Sequence, residues 1–425
     1  MKIFFLPMDG HGHINACIGL ARMLRDYNHE CTFAVTKPWI NLIKDHEFAV
    51  ETLHDPTVAD DQDCLKKWGT FMFNLAYTFS KPPKEQIPLL SVPAYKSFID
   101  YVKIIDHQLP ALFEKLAPDL IIIDFYVTVP SIVKSGRPWI LLYSCNPLKA
   151  YSGPNVPPSN FGLSVNTDPA TSAELRSFLV DAMKDVKAEF DEWLKTKQIE
   201  PHPTALADIS PYLNLYSYPT DLDYSEFGPV PDKWFRLDHM IRKVQGDPLG
   251  FDEAFFDRPG KKIYFSLGSM GGADVDLMKR MVNIMSKSKH LFIVSKGPFH
   301  DHFELAENMI GYKFINQMAV LSRVDLVIHH GGNNTFVETL YFGKPCIVLP
   351  LSGDQRDNGK RVEEKKIGRS FLPHSVDENE FLTAIDQLLD DQELIDRLKM
   401  IGENIRSSKS IELLNEKIKD LVSAK

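Results

Sequence analysis

Two histidines follow the first predicted strand, in the segment Gly10–Asn15, which reads GHGHIN. The glycines allow a histidine to sit at the start of the next helix, beside the edge where parallel strands end. An imidazole titrates near neutral pH and can take a proton from a hydroxyl group. We therefore predict that His13 is a general base, with His11 as the second candidate.

A base of this kind needs a partner on its other ring nitrogen, and Asp124 is the candidate. It ends an apolar run that begins at Leu120 and is typical of a strand buried on both faces. Parallel strands end at one edge of their sheet, so we expect Asp124 close to His13. The pair predicts removal of a proton from an acceptor hydroxyl, with Asp124 stabilising the imidazolium.

A second group of polar residues lies downstream, where a buried strand is predicted to end at His329. The next residues, Gly331–Thr335, read GGNNT and open a predicted helix. Glycines let the backbone approach a ligand, and the unpaired N–H groups at a helix start favour an anion. The turn Ser266–Gly271 follows another strand in the same way. Two anion-binding turns in one lobe predict a bound diphosphate.

The stretch Phe314–Asn358 and the motif near His13 resemble the signature of the UDP-glycosyltransferases of family one, which adopt the GT-B fold. In that family the base occupies the position of His13, and its aspartate partner has a setting that matches Asp124. The resemblance implies a UDP-sugar co-substrate, with no metal and no other cofactor. It implies a donor site formed by Gly12, Ser269, Phe314, Ile315, Gln317, His330, Gly332, Asn333, Asn334, Thr335, Glu338, Asp354 and Gln355.

The resemblance also assigns parts of the donor to particular residues. Phe314 matches the aromatic ring that stacks on uracil, and Gln317 lies near the base and ribose. Glu338 matches the carboxylate that takes the ribose hydroxyls. The positions that match phosphate-contacting residues are Ser269, His330, Asn334 and Thr335. The positions that match residues binding the sugar hydroxyls are Asp354 and Gln355.

The sequence departs from the plant members of the family at several positions. Asn333 stands where they have Trp, Ala16 or its neighbour replaces a Pro, and the gap from Gln317 to His330 is short. These features are similar to the bacterial macrolide-type enzymes and to soluble animal members, such as the detoxification enzymes of plant-feeding mites. Gln355, where others have His, resembles the users of UDP-glucose.

The resemblance implies an inverting O-glycosyltransferase with a role in detoxification. The implied acceptors are small, lipophilic and hydroxylated, such as flavonoids, other phenolics and xenobiotics. Two alternatives stay open. One is a UDP-GlcNAc epimerase of the same fold, and the other is a UDP-sugar-binding protein that does not turn over.

Strands and helices alternate twice along the chain, which predicts an α/β protein with two doubly wound, Rossmann-like domains facing a central cleft. The first series has strands at 2–7, 31–35, 119–123, 139–143 and 213–217, and the second at 262–267, 291–295, 326–329 and 346–349. We predict an acceptor-binding domain at 1–220, a linker at 221–250, a nucleotide-sugar-binding domain at 251–400, and a C-terminal helix at 401–425 that packs back on the first domain.

Aromatic residues gather in a loosely patterned part of the first domain. They serve either as core or as part of an apolar acceptor pocket, and the two interpretations are about equally supported. These residues are Trp68, Phe71, Phe73, Tyr77, Phe79, Tyr95, Phe98 and Tyr101.

Composition and net charge limit the kinds of binding partner that we expect. The 425 residues carry 48 basic and 57 acidic side chains, a formal charge of −9, which disfavours nucleic acid as a partner. Five cysteines without a C-x-x-C pair favour a reducing compartment. With no leader or membrane anchor recognised, the protein is predicted to be cytoplasmic, and no obligate protein partner is indicated.

Two other motifs are better explained without a ligand. Asp221–Asp223 and Asp274–Asp276 have the DxD pattern of metal-dependent transferases, but both lie at turns or helix starts, where aspartate caps the backbone. Gly10 and Gly12 do not form a complete dinucleotide fingerprint, because Asn15 replaces its third glycine.

Overall fold

The computed structural model describes residues 1–57, 64–242 and 252–423, and the side chains of 64–68 are also outside the description. Part of the predicted linker, residues 243–251, therefore lies outside the described residues. So do the last two residues of the predicted C-terminal helix and the side chain of Trp68. None of the helices in the described ranges is long and apolar enough to cross a bilayer.

The first sheet has seven strands, and every pair in it is parallel. Its three central strands contain uninterrupted apolar runs at residues 3–7, 120–123 and 139–143, as expected where helices cover both faces. Its spatial order is β3-β2-β1-β4-β5-β6-β7. In chain order the strands are β1 (Lys2–Pro7), β2 (Glu30–Thr36), β3 (Ala49–Leu53), β4 (Leu120–Asp124), β5 (Trp139–Tyr143), β6 (Leu213–Ser217) and β7 (Trp234–Leu237).

The second sheet has six strands and is also parallel throughout. Its spatial order is β10-β9-β8-β11-β12-β13. Two doubly wound sheets confirm the predicted α/β class. In chain order the strands are β8 (Lys262–Ser266), β9 (Leu291–Ser295), β10 (Met309–Tyr312), β11 (Leu326–His329), β12 (Cys346–Val348) and β13 (Gly368–Ser370).

Helices cover both sheets and join the two lobes. Those that precede β8 in the chain are α1 (His11–Arg25), α2 (Ile40–Asp45), α3 (Cys64–Leu75), α4 (Pro83–Gln86), α5 (Val92–Ile105), α6 (Leu109–Leu116), α7 (Pro130–Val133) and α8 (Pro169–Thr196). Those that follow β8 are α9 (Gly268–Gly271), α10 (Val275–Met285), α11 (Gln317–Leu321), α12 (Asn333–Tyr341), α13 (Gln355–Glu364), α14 (Glu378–Asp390), α15 (Gln392–Arg406) and α16 (Ser410–Ser423).

Each sheet reverses its winding between two central strands, and such reversals open a crevice at the carboxyl ends of the strands. In the first sheet the reversal lies between β1 and β4, where Pro7 pairs with Asp124. In the second it lies between β8 and β11, where Ser266 pairs with His329. The chain leaves these four strand ends through the segments that the sequence predicts to carry chemistry.

The chain divides between the lobes differently from the predicted boundaries. Strand β7 lies inside the predicted linker 221–250, because Trp234–Leu237 pairs with β6 and extends the first sheet. Helix α15 runs to Arg406, beyond the predicted limit at 400, and packs on α12 of the second lobe.

The chain then returns to the first lobe through α16. Leu414 and Ile418 are fully buried in the same cluster as residues of β1 and α1. His29 and Asn415 join through a hydrogen bond of 2.8 Å between Nε2 and Oδ1. Residues at opposite ends of the sequence therefore share one hydrophobic core.

Candidate active site

The first helix places a histidine beside the buried end of β4. Nδ1 of His13 lies 2.8 Å from Oδ2 of Asp124, whose residue is 0% exposed. Helix α1 begins at His11 behind Gly10, which has extended backbone and no side-chain cap. A Cβ at Gly10 would lie 3.2 Å from Cδ2 of His13, so a glycine here leaves room for the ring. The sequence prediction that these two residues lie together is met by this distance.

A third group holds the same imidazole. Ser144 follows β5, and its Oγ lies 3.1 Å from Nδ1 of His13. With Nδ1 facing Asp124 and Ser144, Nε2 is the nitrogen that remains for a substrate. Asp124 Oδ1 is buried and has no hydrogen-bond partner among the described residues, so its charge acts in a poorly solvated position. Ser144 was not found from the sequence, although it directly follows β5, the strand next to β4.

The other histidine of the motif has different surroundings. The ring of His11 lies 4.9 Å from that of Trp39 and 6.2 Å from that of Phe314, between centroids. The second contact crosses the cleft between the lobes. The geometry favours His13 over His11 as the base, because the carboxylate of Asp124 lies on His13.

Two glycines flank the imidazole of His330. A Cβ on Gly268 would lie 2.5 Å from Cε1 of that ring, and a Cβ on Gly332 would lie 2.4 Å from its Nε2. The ring therefore fits between the turn after β8 and the start of α12 only because both positions are glycine. Burial lowers the pKa of His330 to about 4, so the imidazole is neutral at pH 7.

Helix α12 begins beside the turn of the opposite lobe that carries His13. Its first residue follows Gly332, which provides no side-chain cap, so the first-turn N–H groups remain available to an anion. Nδ2 of Asn334 donates to the carbonyl oxygen of Gly12 at 2.7 Å. This bond brings the helix start and the His13 turn together across the cleft. Ser269 lies half-buried on α9, in the neighbouring turn.

A carboxylate lies one turn further along α12. Glu338 is 3% exposed, and its Oε1 lies 3.2 Å from Nη2 of Arg242. Its Oε2 accepts a hydrogen bond from Nε2 of Gln317, which also donates to Thr335 Oγ1 at 3.2 Å. Three predicted donor residues, Gln317, Thr335 and Glu338, thus meet Arg242 at one place. Sequence reasoning missed Arg242, since it follows the first sheet without a motif around it.

The aromatic residue predicted to stack on a base is accessible. Phe314 is 42% exposed and faces His11 across the cleft. Its neighbour Ile315 is half-buried and packs against the core of the second lobe. The Phe314 ring is therefore partly accessible beside His11 and Lys313, and Ile315 anchors this segment in the second lobe.

Three further predicted donor residues make contacts inside the protein. Asp354 Oδ2 accepts the backbone N–H of Asn146 at 2.9 Å, and burial raises the pKa of Asp354. Gln355 is predicted to reach the sugar, but its Oε1 accepts the N–H groups of Leu351 and Ser352 at 2.9 and 3.2 Å.

Asn333 likewise differs from its predicted position. Its Nδ2 donates to the carbonyl oxygen of Ser217 at 3.0 Å, and the residue is 5% exposed. This side chain joins α12 to the end of β6 in the other lobe. The sequence pattern locates Asn333 in the motif, but it does not show which side of the helix start faces the cleft.

Aromatic rings of the first lobe pack next to His13. Tyr126 meets the His13 ring edge to face at 5.0 Å, and Phe98 and Tyr95 lie 5.7 and 6.3 Å from Tyr126. All three are partly exposed. We call Tyr95, Phe98 and Tyr126 the aromatic wall. The remaining aromatics divide differently: Phe71 and Phe79 pack against the second lobe, and Tyr101 bonds Asp9.

No group of three His, Cys, Asp or Glu side chains within 1–57, 64–242 and 252–423 has the arrangement of a metal site. Of the two DxD segments, Asp274 caps α10 by accepting the N–H of Leu277 at 3.0 Å and also pairs with His374. Asp223 accepts the hydroxyl of Tyr216 at 2.8 Å. Both aspartates therefore have structural partners.

Comparison with known proteins adds to this geometry. The sequence profile described as "UDP-glucoronosyl and UDP-glucosyl transferase" matches residues 240–411. The chain is 22% identical over 412 residues to the NDP-glycosyltransferase YjiC of Bacillus subtilis strain 168, covering 96% of this chain and 93% of that protein. Among solved structures it resembles the glycosyltransferase of kitacinnamycin, with a TM-score of 0.72, 17% identity and 99% and 98% of the two chains covered. It also resembles the calicheamicin glycosyltransferase CalG4, with a TM-score of 0.65, 16% identity and 99% and 98% covered.

Proposed function

This chain is a family 1 glycosyltransferase with the GT-B fold, and from that premise we propose that it transfers glucose from UDP-glucose to small, lipophilic, hydroxylated acceptors. The observation that carries the proposal is the 2.8 Å contact between His13 and Asp124, opposite the uncapped start of α12. A base and an anion site face each other across one cleft. The family transfers sugars from nucleotide donors to acceptors, and this geometry suits that reaction.

In the proposed reaction, Nε2 of His13 takes the proton of the acceptor hydroxyl while Asp124 stabilises the imidazolium. The acceptor oxygen forms a bond to the anomeric carbon. The bond from that carbon to the β-phosphate oxygen breaks, and UDP leaves with the electron pair. One displacement inverts the configuration, so an α-linked donor gives a β-glycoside.

The donor is proposed to lie along the second lobe. Phe314 stacks on the uracil and Glu338 takes the ribose hydroxyls. The diphosphate lies at the first turn of α12, close to His330. These N–H dipoles are fixed before the substrate arrives, so they stabilise the leaving group without a metal ion. A negative diphosphate next to His330 favours the charged imidazolium and raises its pKa from the ligand-free position.

The acceptor is proposed to lie against the aromatic wall. Tyr95, Phe98 and Tyr126 present partly exposed rings next to His13, and such surfaces bind flat apolar molecules. Flavonoids, other phenolics and hydroxylated xenobiotics have this chemistry. We propose detoxification as the physiological role on this basis.

The test is to mix the protein with UDP-glucose and a panel of phenols, in buffer with and without EDTA. Release of UDP, together with a β-glucoside identified by NMR coupling of its anomeric proton, is the expected result in both buffers. A parallel incubation with UDP-GlcNAc tests the epimerase alternative, which would give an epimerised sugar and no glycoside. Binding of UDP-glucose with no product from any phenol would leave only a binding protein.

A further inference from the structure

The carboxylate proposed to hold the ribose is already hydrogen-bonded on both oxygens. Arg242 Nη2 lies 3.2 Å from Oε1 of Glu338, and Nε2 of Gln317 donates to Oε2. Gln317 is itself fixed, because the hydroxyl of Tyr264 donates to its Oε1 at 3.2 Å and its own Nε2 donates to Thr335 Oγ1. Each carboxylate oxygen accepts up to two hydrogen bonds, so ribose hydroxyls can bind without displacing these donors.

This arrangement changes the cost of a missing ribose hydroxyl. In a site where the substrate hydroxyl is the sole donor to a buried acceptor, an analogue without it leaves that acceptor unpaired and is rejected by about 10⁴–10⁵-fold. Glu338 is only 3% exposed, so it would behave in this way if it stood alone. Here a protein donor stays on each oxygen when the hydroxyl is absent.

The two protein donors do not contribute alike. Gln317 is neutral and belongs to the predicted donor site, whereas Arg242 brings a positive charge from the segment after β7. Arg242 forms an ion pair with a carboxylate that is 4% exposed, and its own side chain is 20% exposed. Charge-assisted hydrogen bonds are the stronger kind, so Arg242 is the main source of compensation.

We propose that Arg242 is a positioning residue that, by keeping a donor on Glu338, lets the site accept 2′-deoxyribonucleoside diphosphate donors as well as ribonucleoside ones. The inference rests on the proposed function, in which Glu338 faces the ribose. Arg242 acts through Glu338 and touches no reacting atom. It governs how strictly the enzyme requires the 2′-hydroxyl.

The experiment measures the affinities of UDP and 2′-deoxy-UDP by isothermal titration calorimetry. The two ligands share the base and the diphosphate, so the ratio of their dissociation constants reports the ribose alone. Wild type is expected to bind 2′-deoxy-UDP less than about tenfold more weakly than UDP. In Arg242→Met the ratio is expected to widen by about tenfold or more, and Arg242→Lys is expected to restore most of the wild-type ratio.

Arg22→Met is the matched control. Arg22 and Arg242 both lower the pKa of His46, so they share one positively charged neighbourhood, but Arg22 makes no bond to Glu338. Its removal tests general charge and should leave the ratio unchanged. Thermal unfolding of every variant separates loss of fold from loss of selectivity.

Several results would overturn the inference. Wild type rejecting 2′-deoxy-UDP by more than about 100-fold would do so, as would an unchanged ratio in Arg242→Met. A folded Arg242→Met that binds neither ligand would make Arg242 a direct ligand, which also contradicts a positioning role. Failure of wild type to bind UDP at all is a separate result, because it removes the proposed donor and, with it, the basis of this inference.

Discussion

The imidazole of His13, the proposed base, is oriented by neighbours that come from the ends of different strands. Asp124 ends β4 and Ser144 follows β5, and both face Nδ1 of His13. These contacts occupy Nδ1 and leave Nε2 as the nitrogen for the proposed proton transfer. The proposed role of His13 therefore depends on the two residues behind the imidazole as well as on the imidazole itself.

Replacement of His13 by Ala is expected to lower kcat by about 10²–10⁴-fold with UDP-glucose and a phenol, because proton removal is lost. Asp124→Asn should also lower kcat, since the amide no longer stabilises the imidazolium. Ser144→Ala, which removes one neutral hydrogen bond, should cost about tenfold or less. Steady-state kinetics measure all three, and near-normal turnover in His13→Ala would reject His13 as the base.

The fit of the His330 ring between two glycines can be tested by a single substitution. Gly332 is the N-cap of α12 and has a φ of −60°, which alanine also adopts without strain. The added Cβ of an alanine would therefore clash only with the His330 ring. We expect Gly332→Ala to weaken UDP binding by about 5- to 150-fold, the range for a lost contact of about 1–3 kcal/mol. Calorimetric titration measures this, with thermal unfolding as the check on folding.

A double-mutant cycle shows whether that effect passes through the imidazole. If it does, Gly332→Ala should add little to the loss already caused by His330→Ala. Full additivity of the two losses would mean that alanine at 332 disturbs the helix start itself.

The connecting segments hold the two lobes together. The segment 146–168 of the first lobe donates backbone N–H groups to three carboxylates around α13. Asn146 donates to Asp354, Val165 to Glu364, and Asn160 and Gly162 to Asp357, over 2.6–3.0 Å. This segment between β5 and α8 thus forms a strap across the second lobe, and it does so through backbone groups that any sequence could offer.

One of these carboxyls makes the strap sensitive to pH. Burial raises the pKa of Asp357 to about 7, above its value of about 3.9 in an unfolded chain. Its contribution to stability is therefore fully present below about pH 4 and is lost as the pH rises through about 7. Between these values the slope is at most about 1.4 kcal/mol per pH unit.

Asp357→Asn removes this titration. We expect the melting temperature of the variant, relative to wild type, to increase from pH 5 to about pH 7 and to level off above that pH. Scanning calorimetry at several pH values measures the difference, in which other titrating groups cancel. A difference that does not change with pH would contradict the raised pKa.

In the whole molecule, the chain ends on the lobe where it began. Leu414 of α16 is fully buried among residues of β1 and α1, whereas the adjacent Leu413 is 52% exposed. Leu414→Ala is expected to lower the free energy of unfolding by about 2–5 kcal/mol. Leu413→Ala is the control and should change it by about 0.5 kcal/mol or less. Urea unfolding measures both, and equal effects would mean that α16 does not contribute to the first core.

Much of the architecture could be predicted from local sequence. Strands β1, β5, β9 and β11 have the predicted bounds, because a strand buried on both faces is a continuous apolar run with abrupt ends. Strand β6 also has its predicted bounds, although Asn214 interrupts its apolar run. Edge strands β3, β7, β10 and β13 were missed, since they are short and half-exposed and their polar residues hide the pattern. The family motif placed most candidate residues near the cleft but gave no orientation for Gln355 or Asn333.

The amino-acid order alone determined two doubly wound lobes and the placement of His13 and Asp124 at one sheet edge, because apolar runs and strand-end residues are local signals. Only the tertiary structure decided how the lobes meet. The bond from Asn334 to Gly12 joins residues 322 positions apart, and the one from Asn146 to Asp354 joins residues 208 apart. The contacts of Ser144 with His13 and of Arg242 with Glu338 also join residues far apart in the sequence. Contacts over such separations leave no periodicity in the sequence, since each depends on the packing of whole lobes.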